Sequence, residues 1–292
     1  MFCVTFLTIL SCSKEESIEK LKLNENGVLE FENRNHLSKF LDLAFSDSKN
    51  GTNELSNYVP VEFNSYAHEL ETINFDEIVN KDTYEKHSEL LIIDEVKNEL
   101  TERVKPKLIQ KFISKFREIV VADSIFVFDY NDVYVGQVKD YDFKRHNFNN
   151  LDNFPIKSRL ENKRWNVGTC ENEFQDKRRV RGEIETTNTY LYNEVRVYVK
   201  MHKKTLWWVY TTAANLNSYG TVIAINDIPG YTSGGSYTIS CSNCSNATEV
   251  LAYSTIGTWC AYGTTNNEGR LSTSSPYYDC IVNVTYFEGC VQ

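Results

Sequence analysis

The residues of this chain that could carry chemistry are scattered, and each familiar catalytic spacing stops one residue short. "HELET" at His68 offers His-Glu, but Thr72 stands where a zinc protease needs its second histidine. No Gly-x-Ser-x-Gly elbow occurs. Asp129 to Asp132 has the acidity of a calcium loop without its length, glycine or distal glutamate. Gly234-Gly235 lacks the lysine and helix of a phosphate loop. His36, His68, His87, His146 and His202 lie far apart in the chain, as lone surface or capping histidines do. These patterns point to no metal and no cofactor. A glycosidase-type pair of acids stays open, because two carboxylates a few ångströms apart leave no trace in spacing.

The cysteines are more informative. Cys170, Cys241, Cys244, Cys260, Cys280 and Cys290 all lie in the second half of the chain. An even set confined to one region of an exported protein reads as a disulfide framework, whose pairing spacing cannot choose. Zinc is the rival reading of Cys241-Ser-Asn-Cys244, but no histidine follows His202 to complete a site. A thioredoxin-like redox pair lacks the helix that would lower a thiol pKa.

Export is indicated by the start of the chain. Phe2 to Leu10 has the length of the apolar core of a secretory signal and is far too short to span a bilayer. Ile9-Leu10-Ser11-Cys12 resembles a bacterial lipobox, and Lys14-Glu15-Glu16 behind it resembles the export tag of surface lipoproteins in Bacteroidota-type bacteria. The resemblance implies removal of residues 1–11, a lipid on Cys12, and a chain anchored in the outer membrane and facing the cell exterior. It covers only the N-terminus. Asp123-Ser124-Ile125 is similar to the O-glycosylation acceptor of the same bacterial group, which implies a glycan on Ser124. The sequons at Asn243, Asn246 and Asn283 are incidental in that setting.

Composition bounds the rest. With 41% hydrophobic and 24% charged residues this is a globular chain, and its length suggests about two domains. A formal net charge of -9 argues against a nucleic-acid partner. The lipid would be the contact with the membrane.

The elements that must position any site are read from periodicity. Residues 12–24 form a tether. Leu37, Phe40, Leu41 and Phe45 predict a helix over 35–45; "VKPKLIQKFISKFREI" predicts a second, and the mixed charges of 86–104 a third. "DSIFVFDYNDVYVGQV" predicts a hairpin turning at Asn131-Asp132. Residues 139–165, polar and Asn-rich, mark a linker. After it, strands are predicted over 179–187, 190–200, 205–213, 221–226, 236–241, 249–254 and 280–287. The expected fold is α+β, with a small, mostly helical domain carrying a hairpin over 25–138 and an antiparallel β-sandwich-like, disulfide-containing domain over 166–292.

One strand suggests a ligand surface. Over 190–200, Val195, Val197 and Val199 face one way, while Tyr190, Tyr192, Glu194, Arg196 and Tyr198 face the other. Tyr190, Tyr192, Arg196 and Tyr198, with Trp207 or Trp208 beside them, are the candidate contacts for carbohydrate or an envelope partner protein, because aromatic and Arg residues are enriched at binding hot spots. The function this favours is a lipid-anchored, non-enzymatic surface binding or adhesion protein. The alternatives are a hydrolase acting on glycan or peptide and a structural envelope component.

Overall fold

Leu37, Phe40, Leu41 and Ala44 recur at helical spacing and are fully buried, and they define the first regular element of the computed structural model. The structure describes residues 19–130, 132–148, 166–173, 177–189, 191–210, 214–271 and 278–284. Helix α1 (Arg34–Asn50) starts at Asn33, whose side chain accepts the His36 N–H, and stops at Gly51, which takes a left-handed φ of 66°. It runs five residues beyond the expected end, 45 to 50. Helices α2 (Tyr66–Glu71) and α3 (Lys81–Glu85) are short.

The N-terminal half combines α1 and several short helical turns with a sheet and further hairpins, and the described chain as a whole is mostly β, which corrects the expectation of a mostly helical first domain. Strands β1 (Lys22–Leu23), β2 (Leu29–Phe31), β5 (Glu118–Val121), β6 (Ser124–Asp129) and β7 (Asp132–Gln137) form one sheet in that order, with α1 against one face. β6 and β7 form the hairpin the alternation predicts, but Asp132 already pairs with Asp129 as the first residue of β7, so the turn falls one residue earlier than Asn131-Asp132. The helix expected around 104–119 is instead a single 3-10 turn over Ile109–Lys111. Leu108, Ile109, Phe112 and Ile113 are buried as that helix required, but Ser114 ends it: its hydroxyl accepts the backbone N–H groups of Phe116 and Glu118. Residues 86–104 contain a hairpin, β3 (Leu91–Asp94) and β4 (Glu99–Glu102), rather than a helix. Asp94 fixes its turn by accepting the N–H groups of Val96 and Lys97, and Asn98 supplies the positive φ of 50°. β8 (Tyr141–Asp142) and β9 (Asn147–Phe148) pair with each other.

The C-terminal half is a two-sheet sandwich. Strands β10 (Asn166–Glu173), β11 (Arg178–Asn188) and β12 (Asn193–Lys204) lie side by side. The far edge of β12 is shared by β16 (Asn246–Ser254), along Asn193 to Lys200, and β13 (Trp208–Tyr210), along His202 to Lys204. β13 pairs in parallel with β4, Trp208 opposite Glu99, so this sheet recruits the β3–β4 hairpin from before the linker. The core crosses the same boundary, because Leu191, Tyr192, Val209, Tyr210 and Val250 pack in one cluster with Leu37 and Phe40. The second sheet has the order β15 (Thr232–Cys244), β14 (Ala214–Asn226), β17 (Trp259–Arg270), β18 (Tyr278–Val284). Ile184, Val195 and Val197 of one sheet meet Val222, Ala224, Ala261 and Val282 of the other.

The sequence periodicity predicts neither β10 nor β17. β17 hides behind Thr264 to Glu268, a run with few strand formers, yet Asn267 is buried, accepts from the Ser218 hydroxyl and donates to Thr265 Oγ. Cys170 on β10 is bonded to Cys280 on β18, which ties the two sheets, and Cys241 is bonded to Cys244 within β15. Cys260 is also disulfide-bonded. Cys12, Cys290 and Tyr190 lie outside the described residues. Among those described, no helix is long and apolar enough to cross a membrane.

Candidate functional site

The strand β12 has the two faces its alternation predicts, but the aromatic and charged one is covered. Tyr192 is fully buried, and Arg196, Tyr198 and Trp208 are each 5% exposed or less. Trp207 is half-buried against Tyr84. These residues therefore form no exposed platform, and the proposed ligand contacts on β12 are corrected to an interior network.

Antiparallel register builds that network. Arg179, Arg181, Glu183 and Glu185 on β11 stand opposite His202, Lys200, Tyr198 and Arg196 on β12. The β3–β4 hairpin and the segment after it cover them with matching charges. Glu99 Oε2 lies 2.8 Å from Arg179 and 3.2 Å from Arg181. Lys97 reaches Glu183 at 3.2 Å, and Lys107 Nζ reaches Glu102 at 2.7 Å. Glu185 accepts from Arg196 Nη2 at 2.6 Å; Glu194 accepts the Tyr192 hydroxyl at 2.6 Å and the Lys107 backbone N–H at 2.9 Å.

Burial acts differently on each member. It would raise the Glu99 carboxyl, but His202, Lys200 and Arg181 overcome it and hold Glu99 well below the usual carboxylate range. Glu194 is raised, because burial exceeds the help it receives from Arg196 and Tyr192. Burial pushes His202 down to about 4 despite Glu99 beside it. His202 Nε2 lies 3.3 Å from Glu99 Oε1, within ion-pair range but outside hydrogen-bond geometry. Acids do converge here, since Glu99, Glu102 and Glu185 line one cavity with Arg196 and Lys200. That cavity measures about 20 Å³, room for a single water and not for a glycosidic or peptide bond. Among the described residues, no group of three or more His, Cys, Asp or Glu is arranged to hold a metal.

The exposed face lies on the other sheet. Outward positions of β14, Tyr219, Thr221 and Ile223, stand opposite Thr238, Ser236 and Gly234 of β15 on one side. On the other they face Asn266, Thr264 and Tyr262 of β17, beyond which Ile281 and Asn283 of β18 continue the rows. Tyr219 is 41% exposed, Tyr262 39% and Ile281 61%. No central side chain of this face is charged; Glu268, Arg270 and Asp279 stand toward one end of the strands, and Tyr219 donates to Glu268 at 3.3 Å. A shallow depression of about 420 Å³ lies over Gly220 and Gly263, walled by Thr221, Ile223, Tyr262, Thr264 and Asn266. The glycines are required there: a Cβ on Gly263, at φ 154°, would fall 2.1 Å from the Thr221 carbonyl oxygen. The signal for this face was present in "NSYGTVIAIN", whose odd positions, Tyr219, Thr221 and Ile223, separate from the buried Ser218, Val222 and Ala224.

Ser124 is half-buried at the first position of β6, and Asp123 beside it lines a groove of about 1000 Å³ with Lys20, Lys22, Glu30 and Lys139.

No family model matches the chain. No curated protein matches it either. A crystal structure of a DUF4848 family protein from Bacteroides thetaiotaomicron VPI-5482 aligns with 90% of this chain and 99% of its own, at 12% identity. The TM-score of that match is 0.25, too low to carry an argument about function.

Proposed function

We propose that this chain is a non-enzymatic binding protein of the cell surface, and that it presents the outer face of the sheet β15-β14-β17-β18 to carbohydrate. The observation that carries the reading is the exposure of Tyr219 and Tyr262 amid Thr, Ser and Asn rows over a glycine-floored depression. Tyrosine rings offer flat apolar area to the C–H faces of sugars, and the hydroxyl and amide rows supply hydrogen bonds at little desolvation cost. The lack of central charge suits a neutral polyhydroxyl ligand better than a charged envelope protein.

The location rests on the sequence: the lipobox-like Ile9 to Cys12 and the Lys14-Glu15-Glu16 tag support a lipid on Cys12 and an outer-membrane anchor facing outward. Labelling cells with a clickable fatty acid tests this, since the wild type should be marked and Cys12→Ala should not. Equal labelling of both would remove the anchor from the account. A glycan on Ser124 is likewise a proposal from its triplet, read by the mass of the intact mature chain.

Binding is tested by titrating the purified chain against neutral polysaccharides immobilised on a sensor surface. Tyr262→Ala should weaken binding by about 30-fold, the size of a hot-spot truncation. Binding unchanged in Tyr262→Ala would reject this face as the site. Absence of binding to every neutral glycan would return the structural-component reading.

A further inference from the structure

The two disulfides with described partners differ in what the surrounding strands would do without them. Cys170 and Cys280 occupy inward-facing positions on β10 and β18, with Cα atoms 5.6 Å apart. The packing of one sheet on the other holds those sulfurs together and favours reclosure of the bond. Cys241 and Cys244 are separated by 3 positions on a single strand. In a regular strand such residues point to opposite faces with Cα atoms about 10 Å apart. Here the Cα atoms are 6.1 Å apart, and β15 is forced out of register to allow it. Ala214 pairs with Cys244 and Leu216 with Cys241, so three steps on β15 match two on β14, and Asn243 takes a φ of 58°.

This bond therefore opposes the pairing that its own strand prefers. Both cysteines are half-buried against the cluster of Val180, Met201 and Leu216, but they lie on an edge strand, and Ser242 and Asn243 between them are exposed. Disulfides held against the local structure are among the labile ones. The fold depends little on it, because closing a loop with a separation of 3 restricts the unfolded chain far less than closing one of 110.

We infer that Cys241–Cys244 is a thiol–disulfide exchange site, opened by a dithiol while Cys170–Cys280 stays closed. One thiolate of the dithiol attacks a sulfur of the pair; the Cys241–Cys244 bond breaks and the other cysteine leaves as a thiolate. The second thiolate of the dithiol then attacks the mixed disulfide and releases the first cysteine. The chain gains two electrons and two protons, and the dithiol becomes a disulfide. Opening lets the end of β15 return to regular pairing with β14, directly beside the outward residues Thr238 and Ser240.

The test equilibrates the full chain with graded ratios of reduced to oxidised dithiothreitol, approached from both the oxidised and the reduced side. Thiols are then trapped with iodoacetamide and assigned by peptide mass spectrometry, with circular dichroism recorded at each ratio. Cys241 and Cys244 should be alkylated at a ratio at least tenfold below the one that opens Cys170 and Cys280, with the β spectrum unchanged. Opening of both pairs at the same ratio, the reverse order, or loss of the β spectrum when Cys241–Cys244 opens would each overturn the inference.

Discussion

The β11–β12 face and the β14–β17 face of the sandwich are built by the same alternation and end in opposite states. The first carries Arg179, Arg181, Glu183, Glu185, Arg196 and Lys200, yet it is sealed. The second carries Tyr219, Thr221, Tyr262 and Thr264, with no central charge, and is open to solvent. Charge does not decide which face meets water; complementarity does. Lys97 and Glu99 arrive from the β3–β4 hairpin where β11 presents Glu183, Arg179 and Arg181, while Glu102 and Lys107 pair with each other in the covering segment. Among the described residues, no segment arrives with partners for the outward rows of β14 and β17.

The comparison breaks most readily at the sealed face. Glu99→Ala leaves Arg179, Arg181 and Lys200 without their shared carboxylate, and removing one member of a buried ionic cluster costs about 3–5 kcal/mol. Urea unfolding should show that loss. A change below about 1 kcal/mol would mean that water reaches the cluster.

Acid should attack the same face. His202 sits near 4 in the fold against an ordinary 6.5, so it is held neutral where the unfolded chain would be protonated. Its contribution is complete above 6.5 and is lost as pH falls toward 4, to a total on the order of 3 kcal/mol. Glu99 and Glu102, whose folded values are depressed, add a further loss below the ordinary 4.5. Glu194 is raised and acts in the opposite sense, gaining on protonation. Urea midpoints at several pH values should fall from about pH 6.5 downward, and His202→Gln should flatten the upper part of that decline.

Capping gives a smaller effect. Asn33→Ala removes the acceptor for the His36 N–H at the start of α1 and should cost about 1 kcal/mol in the same assay. At the open face the stability effect should be smallest: Tyr262→Ala should stay within about 0.5 kcal/mol of wild type in unfolding while losing carbohydrate binding.

The sequence carried part of this structure. The apolar stripe of α1, the β6–β7 hairpin and the two faces of β12 were legible because each is a local period. The β3–β4 hairpin was not, since its acids and lysines imitate a solvated helix and become interior only when β11 and β12 supply the counter-charges. Ser114 stopped a helix through hydrogen bonds that no hydrophobic pattern reveals. The open face of β14 and β17 does not stand out in the pattern, because the strand with the most aromatic and charged residues is β12. Whether such a face is covered depends on pairing between residues about 100 positions apart, such as Lys97 with Glu183, at a separation of 86. β17 was hidden by Asn266 and Asn267, which are strand residues only because β14 and β18 flank them.

The most direct measurement is a tyrosine footprint, nitrating the native chain with and without a bound neutral polysaccharide and mapping the sites by mass spectrometry. Tyr219 and Tyr262 should react in the free chain and be protected by the polysaccharide, while Tyr192, Tyr198 and Tyr210 stay unreactive throughout. Nitration of Tyr198 in the free chain, or binding that leaves Tyr262 as reactive as before, would contradict the assignment of the two faces.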